Sequence, residues 1–271
     1  MLFCLISSKN RTLFLKNHIM QLSNNQRRSL RELQSNADRD AQQLFIAEGE
    51  KLCKELLSSN YQTEYVVVRT PVSPSIEIIT NEFLTRGIDV YEANDHTFSQ
   101  ISDARSPQGI LAVVHYPDYM NITSERIIIL DGISDPGNAG TIIRTADWFG
   151  FDTIVFTGNS AHRFHPKTVR ATMGSLWRVH LHQTADAETF INEHLNGYKL
   201  YGASLRAKLS LSDCTPKGKY ALVFGSESHG ISSEIRSLIT DEYSIPSFGN
   251  AESLNVAVAA GISLYHFAGM R

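Results

Sequence analysis

Short, uninterrupted apolar runs that end in glycine-rich polar loops are the feature of this sequence that most constrains its fold. The clearest run is residues 126–130, and similar strand patterns occur at residues 153–156, 199–203 and 220–224. Continuous apolar runs of this length are typical of parallel strands that are buried on both faces. Helical patterns lie between them, so the second half of the chain is predicted to be an α/β domain with an open parallel sheet. Ligands of such sheets bind beyond the carboxyl ends of the strands.

The first half of the chain predicts a smaller α/β unit. A helical pattern that starts at Gln26 is expected to run on to residues 44–46, and a further helix follows residues 48–50. Short strands are expected at residues 65–68, 76–79, 89–91 and 110–115. The whole pattern divides the chain into a disordered extension at residues 1–19, a first domain at 20–117, a linker at 118–125 and a second domain at 126–271.

Composition excludes several classes of protein. The chain has 271 residues, of which 42% are hydrophobic, and no apolar run approaches the roughly 20 residues that a membrane-spanning helix needs. Its three cysteines are widely separated and form neither a disulfide framework nor a CxxC metal pair. His162 and His165 lack a recognisable carboxylate or cysteine partner for a metal. We therefore expect a cytoplasmic protein with no metal site and no membrane contact.

The net charge of −3 conceals two basic segments. Residues 1–40 carry seven basic and three acidic side chains, a balance that fits a solvated face as well as a binding surface. Residues 159–181 carry four basic side chains and three histidines with no acidic residue, which favours contact with a polyanion. The basic residues expected to contact such a partner are Arg28, Arg31, Arg163, Lys167 and Arg170.

Three polar loops follow apolar strands and are expected to form one site. They span residues 131–140, 225–230 and 245–255. Their glycines fit neither the GxGxxG dinucleotide motif nor the complete P-loop motif. Each polar residue also has an ordinary structural interpretation: Ser253 and Asn138 as helix caps, Glu227 as a first-turn acid, and Arg144 as the partner of Asp147 in an ion pair.

Taken together, the three loops resemble the motifs of the SpoU-type (TrmH-like) RNA ribose 2′-O-methyltransferases of the SPOUT superfamily. The first motif is matched by DPGNAGTIIRTADWFG at residues 135–150, and the second by GSESHGIS at residues 225–232. The third is matched by IPS at residues 245–247 with ESLNV at residues 252–256. Ser228 and Ser247 depart from the residues common in the family, glycine and methionine. In the first half, residues 45–50 and 106–110 are similar to a ribosomal-protein-like substrate-binding domain.

The resemblance implies a fold, a reaction and its participants. The second domain would carry a trefoil knot, and the chain would act as a homodimer. It would use S-adenosylmethionine to methylate a ribose 2′-hydroxyl in structured RNA, ribosomal rather than transfer RNA because of the first domain. Backbone groups at Gly225, Ile245 and Leu254 would hold the methyl donor.

Arg144 would be the central catalytic residue, with Asn138, Glu227, Ser253 and Asn255 shaping it and the bound ribose. Because a guanidinium loses its proton only at very high pH, we expect Arg144 to orient the hydroxyl and phosphate rather than to act as a simple base. Three alternatives remain: a transfer RNA methyltransferase, a non-catalytic RNA-binding protein of the same fold, and a small-molecule methyltransferase. The presence of Arg144 and Asn255 disfavours the second, and the extra domain disfavours the third.

Overall fold

The computed structural model describes residues 19–118 and 121–269. It divides into two compact units, residues 1–117 and 118–271. The extension expected at residues 1–19 lies outside the described residues except for Ile19, which begins the first strand. Both units combine helices with a β-sheet, so the predicted α/β class is confirmed.

The first unit is built on a five-stranded mixed sheet with the order β1-β4-β3-β5-β2. Its strands are β1 Ile19–Gln21, β2 Leu44–Glu48, β3 Thr63–Thr70, β4 Val90–Asn94 and β5 Ile110–His115. Its helices are α1 Asn24–Glu32, α2 Asn36–Gln42, α3 Glu50–Leu56, α4 Pro74–Thr85 and α5 Asp95–Ile101. β5 pairs antiparallel with β2 and β3, whereas β1, β3 and β4 are parallel.

Two predictions in this unit are wrong. Residues 44–46 belong to strand β2 rather than to a helix, because they pair with β5 inside the sheet. Residues 76–79 belong to helix α4 rather than to a strand. Ser73 caps α4 and Pro74 occupies its first turn, and Ile76, Ile79 and Phe83 are buried at helical spacing.

The second unit is built on a seven-stranded sheet with the order β10-β12-β9-β11-β6-β7-β8, whose neighbouring strands all pair parallel. Its strands are β6 Arg126–Asp131, β7 Thr153–Thr157, β8 His180–Gln183, β9 Lys199–Ala203, β10 Leu209–Ser210, β11 Tyr220–Gly225 and β12 Asp241–Ser244. Its α-helices are α6 Pro136–Phe149, α7 Pro166–Ala171, α8 Ala187–His194, α9 Ser233–Arg236 and α10 Val256–Ala268, and 3-10 helices span Ser175–Arg178 and Leu211–Asp213.

The core of the second unit lies on the central strands. Ile127, Ile129, Ala221 and Val223 are fully buried, as the continuous apolar runs predict. Helix α6 packs closely on α7 at Gly140, where an added Cβ would lie 2.6 Å from the Thr168 carbonyl oxygen. This close approach fixes the basic helix α7 against the helix that carries Asn138 and Arg144.

Candidate active site

The site lies at the carboxyl edge of the second sheet. β6 and β11 are adjacent and parallel, and their last residues, Asp131 and Gly225, stand opposite each other. The loops after β6, β11 and β12 therefore all leave from this edge. These are the three loops that the sequence assigns to one site.

A chain of side-chain hydrogen bonds joins the three motifs. Asn138 Nδ2 donates to Glu227 Oε1 at 2.7 Å, and Asn255 Nδ2 donates to Asn138 Oδ1 at 3.1 Å. Asn138 belongs to the first motif, Glu227 to the second and Asn255 to the third. An amide side chain suits the central position, because it donates to one neighbour and accepts from the other.

Asn255 also begins helix α10. Its Oδ1 accepts from the backbone N–H groups of Ala257 at 2.9 Å and Val258 at 3.4 Å. Asn255 is therefore the N-cap, and the interpretation of Ser253 as the cap is wrong; Ser253 is exposed in the preceding loop. Since the cap uses the oxygen of Asn255, its Nδ2 group is turned towards Asn138.

The start of helix α6 positions Asn138. Asp135 is the N-cap, Pro136 follows it, and Asp135 Oδ1 accepts from the Asn138 backbone N–H at 2.8 Å. Asn138 is thus a first-turn residue, not the cap. Lys167 Nζ donates to Asp135 Oδ2 at 2.8 Å. The hydrogen bond from Lys167, and then that from the Asn138 backbone, lower the pKa of the Asp135 carboxyl group.

Arg144 lies two turns further along the same helix, with an exposed side chain. The alternative interpretation of Arg144, an ion pair with Asp147, is wrong: Asp147 binds Arg178 through three hydrogen bonds of 2.8–3.2 Å. Within residues 19–118 and 121–269, the Arg144 guanidinium makes no hydrogen bond or ion pair. Its five donors are available to a substrate.

Glu227 lies in a tight loop rather than in the first turn of a helix. The Ser226 N–H donates to the Gly230 carbonyl at 3.0 Å, and the Gly230 N–H donates back to the Ser226 carbonyl at 2.9 Å. A Cβ at position 225 would lie 2.1 Å from the Gly230 carbonyl carbon, so only glycine fits there. The closed loop presents Glu227 towards Asn138.

The three residues expected to hold the methyl donor lie at this edge of the sheet. Gly225 ends β11, Ile245 directly follows β12, and Leu254 precedes the α10 cap. Leu254 is 44% exposed and Ile245 is half-buried. Partly exposed apolar side chains beside glycine backbone fit an adenosine ligand, which needs apolar contacts and a few backbone hydrogen bonds.

The basic residues of the second unit are less free than the sequence suggests. Carboxylates from helix α6 compensate the segment that lacks acids: Asp135 binds Lys167, and Asp147 binds Arg178. Arg163 Nη1 donates to the Leu181 carbonyl at 3.0 Å, and the guanidinium lies 5.1 Å from the Phe164 ring centre. Arg170 is partly buried on α7.

In the first unit, Arg28 and Arg31 are exposed on helix α1. Arg28 forms an ion pair with Glu32 at 2.9 Å, and Arg31 donates to Gln100. Arg39, counted in the same basic segment, is fully buried and donates to the Leu33 carbonyl at 2.7 Å. The N-terminal basic residues Lys9, Arg11 and Lys16 lie outside the described residues.

Sequence reasoning gave no separate role to Asp135 and considered Asp147 only as a partner of Arg144, whereas these carboxylates bind Lys167 and Arg178. An Asp-Pro pair before a helix indicates an N-cap, and that signal could have identified Asp135.

Within the described residues, no group of three or more histidine, cysteine or acidic side chains is arranged to hold a metal ion. In the same part of the chain, no helix has the length and apolar character required to cross a membrane.

Comparison with known proteins places the chain in a family. The profile of the SpoU rRNA Methylase family matches residues 125–265, more than half of the chain, and that of the MRM3-like substrate binding domain matches residues 24–112. The 23S rRNA (guanosine(2553)-2′-O)-methyltransferase RlmP of Bacillus subtilis is 31% identical over 240 residues, covering 88% of this chain and 94% of that protein. The 23S rRNA (guanosine-2′-O-)-methyltransferase RlmB of Escherichia coli is 28% identical and covers 67% and 79%.

A solved structure gives the same result. The AdoMet-bound rRNA methyltransferase from Sinorhizobium meliloti superposes with a TM-score of 0.79 at 30% identity, covering 92% of this chain and 95% of that one. The chain therefore belongs to the SpoU rRNA methylase family. The predicted enzyme class, an RNA 2′-O-ribose methyltransferase with S-adenosylmethionine as methyl donor, is confirmed by this membership.

Proposed function

We propose that this enzyme methylates a ribose 2′-hydroxyl of ribosomal RNA. The observation that carries the proposal is the Glu227–Asn138–Asn255 hydrogen-bond chain, which joins the three motifs at the start of helix α6. The same helix carries Arg144, whose side chain has no partner among the described residues. The names of RlmP and RlmB, which both specify 23S rRNA, support ribosomal over transfer RNA.

Gly225, Ile245 and Leu254 would hold S-adenosylmethionine, which supplies a methyl group activated by a sulfonium. The loop after Gly225 is closed by two backbone hydrogen bonds between Ser226 and Gly230, and the Leu254 side chain offers an apolar contact. A trefoil knot in the chain after β12 would bring Ile245 and Leu254 to the same ligand. Such a knot departs from the usual unknotted topology of α/β sheets.

Arg144 would bind the target ribose and its phosphate. A guanidinium stays protonated at neutral pH, so it acts by donating hydrogen bonds to the hydroxyl oxygen and to phosphate. Those bonds become stronger as negative charge develops on the attacking oxygen, which lowers the barrier to methyl transfer, and the hydroxyl proton would pass to water late in the step. The absence of an internal partner for Arg144 among the described residues supports this role.

Asn138, Glu227 and Asn255 would fix the geometry around that arginine. Their hydrogen bonds hold the second and third motifs against the first turn of α6. Ser253 is exposed two residues before Asn255, and its hydroxyl would contact the ribose. Together they would keep the hydroxyl and the methyl group in line, a requirement of displacement at carbon.

The RNA footprint would include Arg163, Lys167 and Arg170 in the second unit, with Arg28 and Arg31 in the first. Lys167 and Arg28 are exposed, although each has a carboxylate partner. Phosphates can compete for such partners, because exposed ion pairs are weak. The salt dependence of RNA binding would report how many of these contacts form.

A homodimer is the proposed assembly. Val258, Ile262 and Tyr265 form an apolar stripe on α10 and are 51%, 39% and 72% exposed. Helix α6 packs beside α10 through Phe149, whose ring centre is 6.0 Å from that of Tyr265, and adds Trp148, which is 84% exposed. A contiguous apolar face on two packed helices is typical of a protein interface, and a second copy of this chain is the occupant we propose.

A cytoplasmic location is also proposed. Cys53 and Cys214 are free and buried. Burial raises the pKa of both thiols, that of Cys214 to about 11. Buried thiols that stay protonated fit a reducing compartment, where a ribosomal RNA substrate is also found.

The choice of RNA can be tested directly. Purified protein is incubated with S-adenosylmethionine carrying a labelled methyl group and with either 23S rRNA or a transfer RNA pool. Ribosomal RNA should be labelled at a single 2′-O-methylated nucleotide. Labelling of transfer RNA alone would support the alternative substrate, and binding of both RNA and methyl donor without transfer would indicate a non-catalytic RNA-binding protein.

A further inference from the structure

Asp131 is a buried carboxylate at the edge of the sheet that the proposed chemistry does not use. Its residue is only 5% exposed, and it ends the central strand β6 between Thr157 of β7 and Gly225 of β11. No ion pair involves it within the described residues. Burying a carboxylate without a cation is costly, so its hydrogen bonds must be well formed.

The carboxylate bridges two elements. Asp131 Oδ1 accepts from the Thr157 hydroxyl at 3.1 Å, and Oδ2 accepts from the Ser232 backbone N–H at 2.6 Å. Ser232 is the N-cap of α9 and closes the loop that begins after Gly225. Asp131 therefore contacts both ends of this loop, at Gly225 by strand pairing and at Ser232 by its carboxylate.

The loop held in this way is the one that carries Glu227. Its start also lies close to the loop after β6, because a Cβ at position 132 would lie 3.6 Å from Ser226 Cβ. Ile231, next to Ser232, is buried in the core cluster of the unit. The only side-chain hydrogen bond from the tip of the loop to helix α6 among the described residues is that between Glu227 and Asn138.

We propose that Asp131 is a positioning residue for methyl transfer, whose carboxylate fixes residues 226–232 and thereby sets the contact of Glu227 with Asn138. Because this role rests on the proposed function, its test needs readouts that do not depend on methyl transfer. Removing the carboxylate would leave the Ser232 N–H without its acceptor at the base of the loop. The loop would open more often, and Glu227 would lose its fixed position.

Asp131→Ala and Thr157→Val form a matched pair of variants. Each removes a hydrogen bond of the same carboxylate at a buried position, but only the first releases Ser232. Amide hydrogen exchange in the full-length protein should be faster by about tenfold or more at residues 226–232 in Asp131→Ala, and little changed there in Thr157→Val. Equal exchange in the two variants would overturn the proposal.

Binding and kinetics extend the test. Well below its melting temperature, Asp131→Ala should weaken S-adenosylmethionine binding in calorimetry and lower kcat/KM by about tenfold or more, whereas Thr157→Val stays within about twofold of wild type. Combined with Glu227→Gln, Asp131→Ala should cause no loss beyond that of the more severe single variant, because both act through one contact. If the losses of kcat/KM in the two single variants multiply in the double variant, Asp131 does not act through Glu227 and the proposal is overturned.

A conservative variant, Asp131→Asn, keeps the proposal testable if Asp131→Ala does not fold. Asp131→Asn keeps the volume and one acceptor, so its loop exchange should lie between those of wild type and Asp131→Ala. Exchange identical to wild type in Asp131→Asn, together with unchanged methyl-donor affinity, would show that the charge is not needed and overturn the proposal. If the wild-type enzyme methylates no RNA, the proposed function fails, while the exchange and calorimetry still decide the role of Asp131.

Discussion

Asn138 and Glu227 are 89 positions apart in the sequence, yet the Asn138 side-chain amide donates to Glu227 Oε1 at 2.7 Å. The other end of the same amide accepts from Asn255, which caps helix α10. Each of these residues alone has an ordinary structural role. Their hydrogen bonds connect the loop after β11 and the start of α10 to the first turn of α6, the helix that also carries Arg144.

Asn138→Asp tests this connection. The new carboxylate would face that of Glu227, and like charges at hydrogen-bond distance repel. We expect kcat/KM to fall by about 10- to 100-fold, because small displacements of catalytic groups are costly. Asn192→Asp is the matched control, since Asn192 is exposed on α8. Equal kcat/KM values for Asn138→Asp and Asn192→Asp would show that Asn138 does not belong to the site.

Arg144→Ala should separate catalysis from stability. Because the side chain is exposed and has no internal partner in the described part of the chain, unfolding free energy should change by less than about 0.5 kcal/mol. Methyl transfer should fall by about 100-fold or more, since the donors that stabilise the attacking oxygen are lost. Arg206→Ala, another exposed arginine of the second unit, should retain wild-type activity. Thermal melts and single-turnover rates measure the two effects.

The Asp135–Lys167 pair predicts a defined pH dependence of stability. The pKa of the Asp135 carboxyl group is lowered in the folded protein. The carboxylate therefore contributes stability above its unfolded pKa, which is near 4, and this contribution is lost as pH falls through the folded-state pKa. Asp135→Asn keeps a capping side chain but removes the charge, and should cost up to about 1 kcal/mol at pH 7.

Urea unfolding at several pH values checks this dependence. The stability gap between wild type and Asp135→Asn should narrow as pH falls below about 4. Lys167→Met should lose a similar amount at pH 7, and the double variant little more, because one ion pair is removed in each case. If the difference in unfolding free energy between wild type and Asp135→Asn stays constant until the protein unfolds in acid, the assigned ion pair is contradicted.

Tyr265→Glu tests the proposed homodimer. A carboxylate placed in an apolar interface loses its hydration, so the dimer dissociation constant should rise by at least about 100-fold. Ile78→Glu is the control, since Ile78 is 63% exposed and belongs to the first unit rather than to the apolar stripe. Sedimentation velocity should show a monomer for the first variant and a dimer for the second. A wild-type monomer at micromolar concentration would exclude the assembly.

The sequence predicted four strands of the second unit, β6, β7, β9 and β11, because most of their residues are buried. Continuous apolar runs mark these four strands directly. The short strands β8, β10 and β12 are only partly buried and show no such apolar run. The helices and strands of the first unit were harder to predict from the sequence. Residues 44–46 and 76–79 are short apolar stretches that could form either a helix or a strand. Pairing with β5 makes the first stretch a strand, and the Ser73 cap followed by Pro74 makes the second part of a helix.

The sequence named candidate site residues, but it did not give the contacts between them. Motif order selected Asn138, Arg144, Glu227 and Asn255, whereas the sequence could not show which carboxylate each basic residue meets. The ordinary alternative for Arg144 was an ion pair with Asp147 at helical spacing, but Asp147 binds Arg178. The segment 159–181 contains no acid, yet α6 supplies carboxylates from outside it. Such pairings depend on how elements pack and not on their spacing in the chain.

The most direct test of the central claim is the chemical identity of the methylated product. Purified protein, S-adenosylmethionine with a labelled methyl group and 23S rRNA are combined, and the RNA is digested to nucleosides and analysed by mass spectrometry. The label should appear in one 2′-O-methylribonucleoside, and it should be lost with Arg144→Ala. Label on a base, or equal ribose labelling by the Arg144→Ala variant, would contradict ribose methylation directed by Arg144.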